Sequence, residues 1–399
     1  MKQKIYSVLL FAVLSFWTAE VCSQSPYINR VYEYRPAPGQ FVNKLPEYEL
    51  GDTQETMRQK AEECIRGEEK VLISLGGYGG YVVFGFDHTI KNVLGKKDFK
   101  IWGNAFYANA NPNPDASQEG GSCEPGIVMV SHDANGNGLP DDAWYELAGS
   151  EYGKSETIKN YQLIYHKPDP DKVPTPNMNY PFLNDTTYIR WTDNQSNSGY
   201  VYRNTFHSQS YYPQWLSVDS LVFAGTKLAD NYVDESGEGS YYVQYAYDWG
   251  YADNHPNTDD RSNFDIGWAI DSAGNKVHLD GIDFVKVYTG VNQYCGWLGE
   301  TSTEIMGAED LHFQTPDVQI RDIQVHTAPK QKVYESNGTL HLHNFEGYEC
   351  ALFSADGKLL DIFNVQSAVE TRHANFPSGI YILRSRKEDR INTIKFIIL

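Results

Sequence analysis

The stretch GIVMVSHDANGNGLPDDAWYEL, residues 126–147, decides the fold. Gly126-Ile127-Val128-Met129-Val130 is a short run of apolar and β-branched residues, too brief for a helix and suited to a strand. Trp144-Tyr145-Glu146-Leu147 is a second run of strand type. Between them Asn, Asp and Gly crowd together, a composition that turns the chain. The reading is strand, acidic loop, strand.

The loop places oxygen side chains at alternate positions, Asp133, Asn135 and Asn137, then Gly138, then Asp141 and Asp142. Calcium takes oxygen ligands and tolerates irregular geometry, so these five side chains are the candidate ligands of a structural calcium ion. The spacing follows the first half of an EF-hand loop and then departs from it. Its twelfth position is Trp144, where such a loop carries a bidentate glutamate. The missing ligands would come from backbone, water or a residue such as Glu146. The competing reading is an Asn/Gly turn that holds no metal.

Working outward, short strand-type runs recur. Residues 71–75 and 81–86 flank two glycine pairs, Gly76-Gly77 and Gly79-Gly80, which read as the turn of a hairpin. Further strands are expected over 99–106, 160–166, 186–191, 241–247, 264–270 and 282–288. A single helix precedes them. Met57, Ala61, Cys64 and Ile65 recur at helical spacing, Asp52 and Glu55 form a box-like N-terminal pair, and Gly67 ends it. Strands do not alternate with long helices, so a doubly wound α/β fold is not expected. The fold class is mainly β: an antiparallel, jelly-roll-like sandwich with one short N-terminal helix, spanning 24–313. Residues 314–330 read as a linker, and 331–399 as a small C-terminal β-sandwich with the turn Ser354-Ala355-Asp356-Gly357-Lys358.

Residues 1–23 read as an export signal. Lys2 and Lys4 precede the apolar core 8–16, and Val21 and Ser23 suit cleavage before Gln24. Cys22 raises lipidation as an alternative. No later stretch approaches the roughly 20 apolar residues of a membrane-spanning helix. The expected location is extracytoplasmic, on the outer-membrane cell surface or secreted. Acidic residues number 52 against 33 basic, which argues against a nucleic-acid partner and suits cation binding. Four cysteines remain after the signal, with three complete pairings; Cys123 with Cys295, both in Gly-rich loops, is the preferred one.

Two resemblances rest on named residues. Leu352-Phe353-Ser354-Ala355-Asp356-Gly357-Lys358-Leu359-Leu360, Asn375-Phe376-Pro377-Ser378-Gly379-Ile380-Tyr381-Ile382-Leu383 and Lys395-Phe396-Ile397-Ile398 resemble the sorting domain of the type IX secretion system of Bacteroidota. That resemblance implies passage across the outer membrane with secretion machinery as a partner. The larger region resembles a group of Bacteroidota cell-surface proteins through Ser74-Leu75-Gly76-Gly77-Tyr78-Gly79-Gly80, Gly85-Phe86-Asp87-His88, the acidic loop, Asp248-Trp249-Gly250-Tyr251-Ala252-Asp253-Asn254 and Gly299-Glu300-Thr301-Ser302-Thr303-Glu304. The group's core is similar to galactose-binding-like jelly rolls, which implies ligand binding. Some relatives belong with outer-membrane corrinoid (vitamin B12) capture, which implies a transporter partner.

Other constellations have both a chemical and a structural reading. Asp87-His88 reads as an oriented base or a hydrogen-bonded strand end. Glu300 and Glu304 read as paired carboxylates for glycoside hydrolysis, or as structural or metal-ligating groups. A second acidic stretch, with Asp248, Asp253, Asn254, Asp259, Asp260 and Asp265, is interleaved with aromatics. From it Trp249, Tyr251, Asp253, Asn254 and Trp268 are the candidate ligand-binding residues, since aromatic faces stack on apolar ligand faces. The alternating His341 and His343 read as a surface pair, with joint metal binding as the alternative. No catalytic residue is assigned. The function expected is noncatalytic binding of a small molecule or glycan by a calcium-stabilised sandwich. Corrinoid capture and glycoside hydrolysis are the alternatives.

Overall fold

The computed structural model describes residues 24–108, 119–313 and 331–398, apart from 337, 356, 374–375 and 388–389. The proposed signal and the 314–330 linker lie outside them. The chain divides into two compact units, residues 1–315 and 316–399. Both are built of antiparallel sheets.

The first unit is organised on a six-stranded sheet in the order Arg30–Arg35, Tyr81–Lys91, Gly281–Thr289, Gly126–Ser131, Trp144–Leu147 and Ala269–Ile270. Its middle strands are the apolar runs seen in sequence. Val287 lies between Val82 and Val128, and Val285 between Phe84 and Val130, so buried side chains form rows across the sheet. Such cross-strand apolar pairs are the unit of sheet stabilisation. The strand–loop–strand reading of 126–147 holds: Gly126–Ser131 and Trp144–Leu147 are neighbours, paired Met129 to Glu146 and Ser131 to Trp144.

One α-helix, Gln54–Ile65, packs on this core through Met57, Ala61 and Ile65, a buried stripe at four-residue spacing. Its cap differs from the expected Asp52. Thr53 is the N-cap, its side chain accepting from Thr56 N at 3.2 Å. Asp52 is drawn off by Lys60 Nζ at 2.7 Å and by Glu49 N at 2.8 Å. The helix also grips the outer strand: Arg58 Nη1 donates to Val31 O at 2.5 Å, and Val31 N donates to Glu62 Oε2 at 3.0 Å.

The expected hairpin across the glycine pairs is not formed. Ile73–Ser74 pairs with Glu304–Ile305, while Tyr81–Lys91 joins the central sheet. The glycines serve close packing instead. Gly76 has φ +68°, and a Cβ there would stand 1.9 Å from the Ala37 carbonyl oxygen. The expected strand 264–270 is also interrupted. Asp265 accepts from Gly267 N and turns Ile266–Trp268 into a 3-10 segment between two-residue strands.

A four-stranded sheet in the order Ser198–Asn204, Leu183–Asp193, Ile158–His166 and Ser220–Lys227 carries its own aromatic core of Tyr78, Tyr161, Tyr165, Tyr211 and Phe223. Much of the tyrosine content is spent here. The expected disulfide is absent: Cys123 and Cys295 are buried free thiols. Cys295 Sγ instead faces Thr301 Oγ1 at 3.5 Å and Gln293 Nε2 at 3.8 Å.

The second unit pairs a three-stranded sheet, Lys332–Ser336, Thr339–His343 and Val369–His373, with a four-stranded one, Leu359–Asn364, Glu349–Ser354, Gly379–Lys387 and Arg390–Ile398. Leu340, Leu342, Phe345, Leu352, Tyr381 and Leu383 form its core.

Candidate functional site

The acidic loop brings its five singled-out residues together. Asp133 accepts from Asn137 N (3.0 Å) and Gly138 N (2.8 Å). Asn135 and Asn137 donate their amides to Asp141 at 3.0 to 3.2 Å, and Asp142 Oδ2 accepts from Ala134 N at 3.0 Å. Gly136 and Gly138 take φ +70° and +73°, which lets the backbone curl around these side chains. Hydrogen bonds from Asn137 and Asn135 hold the Asp141 carboxyl below its ordinary range. The loop is anchored to the central sheet by Asp283, whose Oδ2 meets Asp133 N at 2.8 Å and His132 Nδ1 at 2.7 Å. The donors are all oxygen, from three carboxylates and two amides, a set that fits a hard cation such as calcium. Glu146 is not part of this group; it accepts from Thr226 Oγ1 at 2.6 Å.

The second set of singled-out residues separates into two. Trp249 and Trp268 stand together at the surface, ring centroids 4.5 Å apart and tilted by 45°. Lys97 Nζ lies 3.8 Å from the Trp268 ring centroid. With Asp260, Arg261 and Asn263 these residues line a cleft of about 430 Å³. Trp249 is 37% exposed. Tyr251, Asp253 and Asn254 are buried. Tyr251 Oη accepts from Glu151 N, and Asn254 exchanges two 2.8 Å hydrogen bonds with the Tyr247 backbone. These three shape the loop that presents Trp249.

Asp253 belongs to a group that its sequence neighbourhood does not reveal. Carboxylate oxygens of Glu124, Asp253 and Glu304 lie within 4.8 Å of one another. Asp253 accepts from Asn104 N, Ala105 N and Glu304 N at 2.7 to 2.9 Å. Glu304 Oε1 accepts from Ser302 Oγ (2.7 Å) and Ser74 Oγ (3.1 Å), and Glu124 Oε1 from Ser302 N (3.2 Å). Burial pushes the Glu124 carboxyl up to about 7. Burial, then the charge of Glu124, holds Asp253 and Glu304 well above the carboxylate range. Carboxyls this close and this buried share protons or hold a cation between them; either removes the charge that desolvation penalises. The residues come from three separate chain segments, so no local spacing signals the group.

Glu300 is buried nearby in sequence but engaged elsewhere. Its Oε1 accepts from Gln40 N at 2.5 Å, and its Oε2 has no hydrogen-bond partner among the described residues. Burial raises this carboxyl to about 8. Glu300 and Glu304 are 7% and 1% exposed, out of reach of a polysaccharide chain. His88 is committed on both sides, Nδ1 to Asp87 Oδ1 at 2.8 Å and Nε2 to Asp310 Oδ2 at 3.0 Å. With both ring nitrogens held by carboxylates, it ties strand to strand and offers no open position for proton transfer.

Among the described residues no helix is long and apolar enough to cross a membrane. No protein-family model matches the chain, and no curated protein matches it. Among solved structures it is similar to HBP35 of Porphyromonas gingivalis, at 11% identity and a TM-score of 0.14, covering 69% of this chain and 64% of that one. It is also similar to a beta-1,2-glucanase from Parabacteroides distasonis, at 10% identity and a TM-score of 0.13, covering 79% of this chain and 39% of that one. The chain spans less than two thirds of either, and likenesses of this size carry no argument about fold or function.

Proposed function

We propose that this chain is an exported, noncatalytic binding protein of the Bacteroidota cell surface, whose ligand is a glycan or another small molecule with an apolar face. The observation that carries the reading is the contact between exposed Trp249 and half-buried Trp268 in a cleft with Asp260, Arg261 and Asn263. Indole faces hold the apolar face of a sugar ring, while flanking polar groups orient its hydroxyls. Calcium in the Asp133–Asp142 loop stiffens the sandwich and takes no part in chemistry. The C-terminal unit serves sorting or surface attachment.

Equilibrium titration against a glycan panel and against cyanocobalamin tests the reading. Saturable glycan binding that Trp249→Ala and Trp268→Ala both weaken supports it. Binding of cyanocobalamin alone replaces it with corrinoid capture. Binding that survives both substitutions, or no binding at all, overturns it. Truncation after residue 330 tests the C-terminal role: the shortened chain is expected to stay in the periplasm, and unchanged surface exposure sinks that part.

A further inference from the structure

The three-stranded sheet of the C-terminal unit has two unlike faces. Side chains alternate along each strand. Val333, Leu340 and Leu342 point into the core. The alternate residues form the outer face, and the register fixes their neighbours. Tyr334 lies opposite His341, which lies opposite Thr371; Ser336 lies opposite Thr339, which lies opposite His373. His341, His343 and His373 therefore share one face, the first two on one strand and the third diagonal to His341 on the next.

The rings on this face stand close to one another. Tyr334 stacks on His341 (4.8 Å, 9°) and on His343 (5.7 Å, 19°), so three rings stand nearly parallel. His373 Nδ1 faces the Gly338 carbonyl at 3.1 Å. A carbonyl only accepts, so Nδ1 donates, which in the neutral ring leaves the Nε2 lone pair for a metal. This backbone contact is the kind that orients metal-binding histidines. His343 Nε2 has only a long 3.5 Å contact with Tyr334 Oη. Among the described residues, no hydrogen bond or ion pair engages the ring nitrogens of His341.

We propose that this outer face binds a borderline divalent transition metal, Zn²⁺, Ni²⁺ or Cu²⁺, with His341 as the central ligand. His343 along the strand or His373 across it supplies the second imidazole, and water completes the coordination. Imidazole suits these ions, and Cu²⁺ binds tightest among them. The oxygen loop of the first unit suits a hard cation, so the two units select metals by donor chemistry.

The test uses the untagged full-length mature chain in excess calcium, which saturates the oxygen loop. Cu²⁺ alone is titrated calorimetrically, and the loaded protein is examined by electron paramagnetic resonance. One equivalent with nitrogen hyperfine coupling is expected. His341→Ala should weaken binding at least about tenfold, the scale on which even outer-shell partners act. Of His343→Ala and His373→Ala, the more damaging change names the second ligand. His278→Ala, an exposed imidazole in the other unit, should change nothing. Matching thermal melts of His341→Ala and the parent exclude unfolding as the cause. Unchanged affinity in His341→Ala, or a spectrum without nitrogen coupling, overturns the proposal.

Discussion

Replacing Glu300 by Gln should make the protein more stable, increasingly so as pH rises above about 4.5. The unfolded carboxyl ionises near 4.5, whereas burial holds the folded one protonated up to about 8. Between those values unfolding releases a proton, so stability falls as pH rises from about 4.5 and levels off above about 8. At about 1.36 kcal/mol per unit, the full loss is on the order of 5 kcal/mol, and at pH 7 about 3 kcal/mol. Gln has no charge to lose. Its oxygen can keep the Gln40 N–H, and its amide nitrogen takes the place of an oxygen that already lacks a partner. Wild type and Glu300→Gln should therefore have similar unfolding free energies in urea at pH 4.5 and diverge by several kcal/mol at pH 9. Tryptophan fluorescence is the right probe, because every tryptophan lies before residue 315 and reports on the larger unit alone. A chelator keeps metal linkage out of the comparison. Parallel stability-versus-pH curves for the two proteins would refute the reasoning.

Three further outcomes are expected. Calcium should raise the melting temperature: at free calcium one hundredfold above its Kd the gain is about 2.7 kcal/mol, and Asp133→Asn with Asp141→Asn should abolish it; equal melts in calcium and chelator would show a bare turn. Gly76→Ala should cost well over about 1 kcal/mol, because the left-handed backbone and the Ala37 carbonyl both oppose a Cβ; a change of a few tenths in chemical unfolding would contradict the close packing. Thr53→Ala should cost about 1 kcal/mol of helix-cap energy while Asp52→Ala leaves the cap in place, and hydrogen exchange at the first helical turn separates the two.

Legibility in the sequence followed range. The rows Val82/Val287/Val128 and Phe84/Val285/Val130 come from runs that read as strands at sight, and the Met57/Ala61/Ile65 stripe announces its helix. The loop at 133–142 is local, and its internal hydrogen bonds were written in its spacing. Pairings that close over long separations were not. Ile73–Ser74 finds its partner at Glu304–Ile305, so the glycines at 76–80 mimicked a hairpin turn while serving close backbone contact. Within Trp249–Asn254, polarity and aromaticity do not tell inside from outside; Asp253 faces inward because three backbone N–H groups await it. Glu124 carries no local mark of the carboxyl group it joins.

The grip of the helix on Val31 bears on how this protein behaves at high concentration. A six-stranded sheet offers two edges to other chains, and an open edge is a template for strand addition between molecules. Here one edge has its Val31 N–H and C=O occupied by Glu62 and Arg58, and the other ends in the two-residue strand Ala269–Ile270. The helix is thus a stopper against self-assembly as well as a cover for the core, and Arg58→Ala is the change that would unplug it.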